Sequence, residues 1–130
     1  LRLSRATALL VGLALPCIET WRRWGMFSDW PSWLDDFIAA GLLLYAWHAG
    51  RRDAALSRPY LMAAWGYTFG MAYMSFFGHL RAAPAVDPSG FSTPFVLWFK
   101  GFGVLLALTC LVLAWPAPKP SLPDRFSGQN

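Results

Sequence analysis

The sequence predicts an all-α integral membrane protein with four transmembrane helices in an antiparallel bundle. Composition, the length of the apolar runs and the distribution of basic residues lead to this fold class. The chain of 130 residues is 56% hydrophobic and only 14% charged, whereas soluble proteins average about 45–50% and about 25%. A soluble domain of this size needs a more polar surface, so we expect the chain to lie in a membrane.

Four apolar runs are long enough to cross a bilayer, which takes about 20 helical residues. They cover approximately residues 5–21, 33–49, 60–80 and 95–115. The first run has a short basic start and resembles a signal peptide. However, Leu15 and Pro16 do not fit a small-residue cleavage site. We therefore interpret this segment as a retained span.

Helix-terminating residues support the bounds of the other three spans. Gly50 follows the second span as an expected C-cap. Pro59 is expected in the first turn of the third span, where its missing N–H costs nothing. Pro94 opens the fourth span and Pro116 closes it. The proline-rich residues 116–130 are expected to form an extended cytoplasmic tail.

The basic residues predict that both termini are cytoplasmic, because cytoplasmic loops carry an excess of Lys and Arg. In this orientation seven basic residues lie inside: Arg2, Arg5, Arg51, Arg52, Arg58, Lys119 and Arg125. Three lie outside: Arg22, Arg23 and Arg81. The short loops favour a bacterial inner membrane. A net charge of +4 that is split into clusters between apolar runs does not indicate nucleic-acid binding.

Small residues at helical spacing predict where the helices pack, because membrane helices associate through close backbone approach. The expected packing residues are Gly12, Gly66, Gly70, Gly103, Ala107 and Cys110. Gly66 and Gly70 form a Gly-xxx-Gly motif, for which packing within one chain is favoured over a homodimer contact.

Polar residues of all four spans are predicted to converge in the outer half of the membrane. The expected cluster consists of Glu19, Asp35, Asp36, His79 and Lys100. An isolated charge in hydrocarbon is costly, so Lys100 needs either a carboxylate partner or a route to water. It could extend to the headgroups, form a structural ion pair, or belong to a transport site. The two aspartates are also explained by a helix N-terminus, which stabilises carboxylates.

Several kinds of site are disfavoured by position. His48 and His79 end their spans at opposite faces of the membrane, so they cannot ligate one haem. Cys17 and Cys110 lie at different depths, so a disulfide is not expected. No soluble-enzyme motif occurs, and we expect neither catalysis nor a metal. The sequence implies no cofactor, although bound lipid is possible.

These observations leave three functional hypotheses. The first is an accessory or scaffolding subunit that packs against another membrane protein or against copies of itself, in contact with membrane lipid. The second is an oligomeric transporter or channel with a site formed by Lys100 and a carboxylate near the outer face. The third is a lipid, quinone or pigment site lined by aromatic residues: Phe76, Phe77, Phe99 and Phe102.

Overall fold

The computed structural model describes residues 1–22, 30–82 and 90–116 of the chain. These residues form four helices and no strand: α1 (Arg2–Arg22), α2 (Trp30–Arg52), α3 (Ala54–Ala82) and α4 (Thr93–Ala114). The prediction of an all-helical chain with four helices is therefore confirmed for this part of the chain. The predicted extended tail lies beyond residue 116, outside the described residues.

The junction of α2 and α3 differs from the sequence-based expectation. α2 continues to Arg52, so Gly50 lies inside the helix and is not its C-cap. α3 begins at Ala54, and Pro59 lies within it rather than in its first turn. The only residue between the two helices is Asp53, whose carboxylate accepts a hydrogen bond of 2.8 Å from the backbone N–H of Ala55. A capping aspartate therefore starts α3.

Packing between the helices defines a bundle with two chemically different ends. Each helix packs against the next one along the chain, and α1 also contacts α4 and, less extensively, α3. In the described ranges, the backbones of α2 and α4 do not approach each other closely. One end, here called the basic end, carries Arg2, Arg5, Arg51, Arg52 and Arg58. The opposite end, here called the acidic end after its three carboxylates, carries Glu19, Asp35 and Asp36 together with the basic residues Arg22, Arg81 and Lys100.

The core surrounds one large aromatic side chain. Trp65 of α3 is 1% exposed. It belongs to one core cluster with small and aliphatic residues: Ala8, Leu43, Ala46, Leu61, Ala64, Ala107, Cys110 and Ala114. Small side chains on the surrounding helices leave room for the indole, and together they fill the interior of the bundle.

The glycines predicted to mediate packing do not share one environment. A Cβ atom at Gly12 would lie 2.9 Å from the Leu44 side chain and 3.2 Å from the Ala40 carbonyl oxygen, so α1 and α2 approach closely there. A Cβ atom at Gly66, Gly70 or Gly103 would meet nothing within 4 Å. In the described ranges, these three glycines are therefore not points of close helix contact.

Large apolar side chains are exposed on the outside of every helix. Examples are Leu10, Leu13, Phe37, Tyr45, Tyr73, Met74, Trp98 and Phe102. By length and hydropathy, α1 and α4 could cross a membrane. α2 contains two adjacent aspartates, and α3 is rich in Gly, Tyr and Ser, which lowers the hydropathy of both. This pattern gives limited support to a membrane location.

Candidate functional site

A cavity of about 540 Å³ lies among α1, α2 and α3 at the acidic end. It opens to the outside of the bundle, since five of its lining residues are exposed: Asp35, Tyr67, Gly70, Met74 and Ser75. Its lining consists of Glu19, Arg22, Asp35, Asp36, Gly66, Tyr67, Gly70, Met71, Met74 and Ser75. We call this space the acidic cavity. Ionisable residues reach it from two different helices, and α3 supplies most of the remaining wall.

The last turn of α1 contributes an ion pair to this cavity. Glu19 and Arg22 are three residues apart, which places them on one face of the helix. The Glu19 carboxylate lies 3.1 Å from the Arg22 guanidinium. Both side chains are mostly buried, with 15% and 20% of their surface exposed. The pair therefore belongs to the cavity wall more than to the solvated surface.

The carboxylates of α2 complete the acidic side of the cavity. Asp35 is exposed, and Asp36 is half-buried. Because α2 begins at Trp30, neither aspartate lies in its first turn, where the helix dipole acts most strongly. The Tyr67 side chain of α3 lines the same space as the two aspartates. The dipole is thus a weaker explanation for these residues than their position beside the cavity.

Two glycines create much of the space on the α3 side. Gly66 and Gly70 both line the acidic cavity, and a Cβ atom at either position would meet nothing within 4 Å. Met71 and Met74 add flexible, polarisable apolar walls beside them. The Gly-xxx-Gly motif therefore borders an open space in the described part of the chain.

A second space of about 320 Å³ lies among α1, α3 and α4. Lys100 lines it, so we call it the Lys100 cleft. The side chain is half-buried, and its Nζ lies 3.5 Å from the backbone carbonyl oxygen of Ser75. The ammonium thus turns toward α3. At this end the Trp21 and Phe91 ring centroids are 5.9 Å apart, and those of Phe91 and Phe95 are 5.3 Å apart.

The predicted polar cluster is divided between these two spaces. Glu19 joins Asp35 and Asp36 in the acidic cavity and joins Lys100 in the cleft. His79 lies one turn beyond Ser75 on α3 and lines neither space. Glu19 and its partner Arg22 line both spaces and form part of the partition between them.

The aromatic residues proposed for a lipid, quinone or pigment site are also divided. Phe76, Phe77 and Phe102 line an almost wholly apolar groove of about 650 Å³ between α3 and α4. Phe99 instead lines the Lys100 cleft. Gly101 of α4 also lines the groove, and a Cβ atom there would be in ordinary van der Waals contact with the Phe76 ring, at 3.4 Å.

The histidines and cysteines that were considered from the sequence do not form a shared site in the described part of the chain. His48 lies near the basic end of α2 and His79 near the acidic end of α3, so the two imidazoles do not share a site. Cys17 and Cys110 are both free thiols. Within residues 1–22, 30–82 and 90–116, no three His, Cys, Asp or Glu side chains are grouped so that they could hold a metal ion.

The spacing of Glu19 and Arg22 indicates a helical ion pair from the sequence alone, and one turn from water such a pair is expected at the surface; in the structure both side chains are mostly buried. Tyr67, Ser75 and the two methionines Met71 and Met74 are site residues that the sequence did not predict. Tyr67 gave no signal because a tyrosine beside glycines is common in membrane helices. Ser75 contributes a backbone carbonyl to Lys100, and no side-chain pattern could reveal that contact.

The chain matches no protein-family model, no curated protein and no solved structure. The chemistry of the site therefore has to be inferred from its own side chains. Carboxylates, a tyrosine hydroxyl and methionines around an open space can hold a small solute by charge and by apolar contact. In the part of the chain that the structure describes, the cavity presents no histidine or cysteine for acid–base or nucleophilic chemistry.

Proposed function

We propose that the protein is a four-span membrane protein that binds a small solute in the acidic cavity and, as an oligomer, carries it across the membrane. The observation that carries this proposal is the cavity of about 540 Å³ lined by charged residues of two helices and by α3. Sites for small molecules typically measure about 300–1,000 Å³. Ionisable residues on membrane helices commonly mark substrate and ion pathways.

The dimensions and surfaces of all four helices support four membrane spans. The helices have 21, 23, 29 and 22 residues, and a span needs about 20. Each helix also exposes large apolar side chains. The aspartates that lower the hydropathy of α2 line the acidic cavity together with Glu19 and Arg22.

The distribution of arginines supports an orientation with both termini in the cytoplasm. Arg2, Arg5, Arg51, Arg52 and Arg58 share the basic end, and basic residues are retained on the cytoplasmic side. In a bacterial inner membrane the acidic cavity then opens toward the outside. A solute would enter from that side.

Transport requires more than one chain, because the interior beyond the cavity is filled. Trp65, Leu43 and Leu61 are at most 1% exposed and lie in one core. A solute cannot pass this core without a rearrangement of the helices. A pathway along an interface between copies avoids that cost, and this is why the proposal includes an oligomer.

Flux through proteoliposomes tests the proposal. The solutes are three compounds that cross lipid slowly: tetraethylammonium, gluconate and mannitol. We expect at least one of them to enter faster than into protein-free liposomes. Gly70→Leu should reduce that rate to the protein-free value, because the new side chain fills the cavity where a Cβ meets nothing within 4 Å.

Gly78→Leu is the matched control for this variant. Gly78 lies on the same helix and also has nothing within 4 Å of its Cβ position, but it does not line the cavity. We expect it to retain the full flux. If none of the three solutes enters, or if both variants behave alike, the proposed function is wrong.

A second candidate function is that of an accessory subunit that packs against a partner protein or a second copy. The apolar groove between α3 and α4 favours it, as does the outward exposure of Trp98, which is 81%. A photo-crosslinking residue at Trp98 should then form protein adducts in native membranes, and the same residue at the exposed Leu10 of α1 should not. Lipid adducts alone at both positions would contradict this function.

A further inference from the structure

We propose that α3 and α4 bind an anionic phospholipid at the basic end, with its phosphate on the Arg58 guanidinium and one acyl chain along α4. Both helices must span the membrane for this binding, whereas transport through the acidic cavity is not required. Three features of this end support the binding: the position of Arg58, the surrounding positive charge, and an apolar surface that begins beside Arg58.

Arg58 of α3 lies against the C-terminal end of α4. Its Nη1 donates a hydrogen bond of 3.3 Å to the backbone carbonyl oxygen of Trp115, which is the C-cap residue of α4. A guanidinium has five N–H groups, and this bond uses one of them. Because Arg58 is exposed, the other N–H groups can form the paired hydrogen bonds by which arginine holds phosphate oxygens.

The charge around Arg58 favours an anion. Arg2, Arg51 and Arg52 are exposed at the same end of the bundle. Asp53 is the one carboxylate at this end in the described part of the chain, and one of its oxygens already caps α3. Basic residues at a membrane surface attract anionic lipids. A zwitterionic lipid gains less here, because its cationic group would lie among the arginines.

An apolar surface leads from Arg58 along α4 into the groove between α3 and α4. We call it the α4 stripe: Leu105, Leu108, Val112 and Trp115. The intervals of three, four and three residues place them on one face of the helix, and all four are exposed. Leu105 and Leu108 also line the groove. An acyl chain on the α4 stripe is therefore in contact with the groove as well.

The length of the α4 stripe fits one leaflet of the membrane. From Trp115 to Leu105 the rise is about 15 Å at 1.5 Å per residue, and the hydrocarbon core of a bilayer is about 30 Å thick. Tryptophan favours the headgroup level, which puts Trp115 at the surface and Leu105 near the midplane. A soluble phosphate would gain the charge interaction at Arg58 but nothing from this apolar surface, so the features together favour a lipid.

Native mass spectrometry of the full-length protein in a mild detergent tests the binding. The probes are dioleoyl phosphatidylglycerol and dioleoyl phosphatidylcholine, which have the same acyl chains and differ in headgroup charge. We expect phosphatidylglycerol to bind at least about fivefold more tightly. A fivefold difference corresponds to about 1 kcal/mol, the contribution of one basic residue near an anionic lipid surface. Millimolar inorganic phosphate should not displace the lipid.

Substitutions of Arg58 locate the headgroup. Arg58→Gln should weaken phosphatidylglycerol binding about fivefold and leave phosphatidylcholine binding unchanged. Arg58→Lys retains the charge and should keep most of the preference. Arg81→Gln is the matched control, because Arg81 is exposed on the same helix but at the acidic end, and it should have no effect. Size-exclusion profiles and thermal unfolding verify that each variant is folded.

A substitution in the α4 stripe locates the acyl chain. Val112→Ser should weaken the binding of both lipids alike, because it interrupts the apolar surface and leaves the charge unchanged. Leu10→Ser, at an exposed position of α1, is the control and should not weaken either. If Val112→Ser and Leu10→Ser behave alike, the position of the chain on α4 is wrong.

The remaining outcomes each overturn one part of the proposal. Equal binding of the two lipids overturns the selection of an anionic headgroup. Equal effects of Arg58→Gln and Arg81→Gln overturn the assignment to Arg58. Displacement by inorganic phosphate shows that the ligand is a soluble phosphate and not a lipid. Because none of these measurements involves flux, a failure here is distinguishable from a failure of the proposed transport function.

Discussion

The Arg5 guanidinium donates a hydrogen bond of 2.7 Å to the backbone carbonyl oxygen of Gly50. This contact joins the start of α1 to the last turns of α2. A Cβ atom at Gly50 would lie 2.6 Å from the Ser57 hydroxyl of α3 and 3.3 Å from Arg5 Cδ. Three helices therefore meet at this point of the basic end, and the absence of a side chain at Gly50 permits it.

Replacing Arg5 should destabilise the bundle. Arg5→Met retains an apolar stem but removes the charged donor near the C-terminus of α2, where a cation is favoured. The expected loss in the free energy of unfolding is about 1.5–3 kcal/mol, as is typical of a hydrogen bond to a charged group. Thermal unfolding in detergent measures it. Arg2→Met, at an exposed position of the same helix, should cost under about 0.5 kcal/mol; an equal loss in both variants would contradict the role of Arg5.

Adding one methyl group at Gly12 should separate α1 from α2. The new Cβ would lie 2.9 Å from Leu44 and 3.2 Å from the Ala40 carbonyl oxygen, and the backbone atom cannot rotate away. Gly12→Ala should therefore lower the free energy of unfolding by about 1–3 kcal/mol. Gly78→Ala is the control: its Cβ meets nothing within 4 Å, and improved helix propensity should stabilise it by up to about 1 kcal/mol. Equal effects of the two changes on the unfolding temperature would show that Gly12 is not a close contact.

Removing the Ser4 hydroxyl should loosen α1 from α4. Ser4 is 0% exposed and donates a hydrogen bond of 3.0 Å to the Cys110 carbonyl oxygen. Ser4→Ala should cost about 0.5–1.5 kcal/mol in denaturation experiments, since such bonds between membrane helices are of modest strength. The exposed Thr109 hydroxyl bonds instead to Leu105 of its own helix, so Thr109→Ala should be nearly neutral. A loss at Thr109 as large as that at Ser4 would contradict this difference between the two hydroxyl groups.

The sequence predicts where the helices lie along the chain better than it predicts which helices pack against each other. Apolar runs of span length give four helices, and periodicity places Ala107 and Cys110 on a face that is buried in the structure. The spacing of small residues along one helix does not predict which other helix packs against that face. Lys100 and Asp35 are at the same end of the bundle, but the backbones of α4 and α2 do not approach each other closely in the described ranges. They therefore line different spaces.

Glycine motifs and prolines are ambiguous for related reasons. Gly66 and Gly70 have the spacing of a packing motif but border a cavity. The motif shows that another helix could approach closely at these positions, and it does not show that one does. Pro59 resembled a helix start, yet the Asp53 side chain caps α3 one turn earlier. The glycine spacing does not show whether another helix lies opposite, whereas the start of α3 at Asp53 is a local N-cap signal that competes with the signal of Pro59.

Accessibility of single cysteines should distinguish four membrane spans from two. In a background with Cys17→Ser and Cys110→Ala, one cysteine is introduced at Ala54 and another, in a separate variant, at Ser92. Both positions are exposed, the first at the start of α3 and the second immediately before α4. If all four helices span the membrane with both termini inside, a membrane-impermeant maleimide added to intact bacterial spheroplasts should label only Ser92→Cys. After lysis it should label both.

The alternative topologies give different labelling because each span reverses the side on which the chain emerges. If only α1 and α4 cross the membrane, positions 54 and 92 lie on the same side, so the two variants should be labelled equally before lysis. If all four helices cross in the opposite orientation, only Ala54→Cys should be labelled before lysis. The first result would contradict the four spans. The second would retain them but place the acidic cavity on the cytoplasmic side, so a solute would enter it from the cytoplasm.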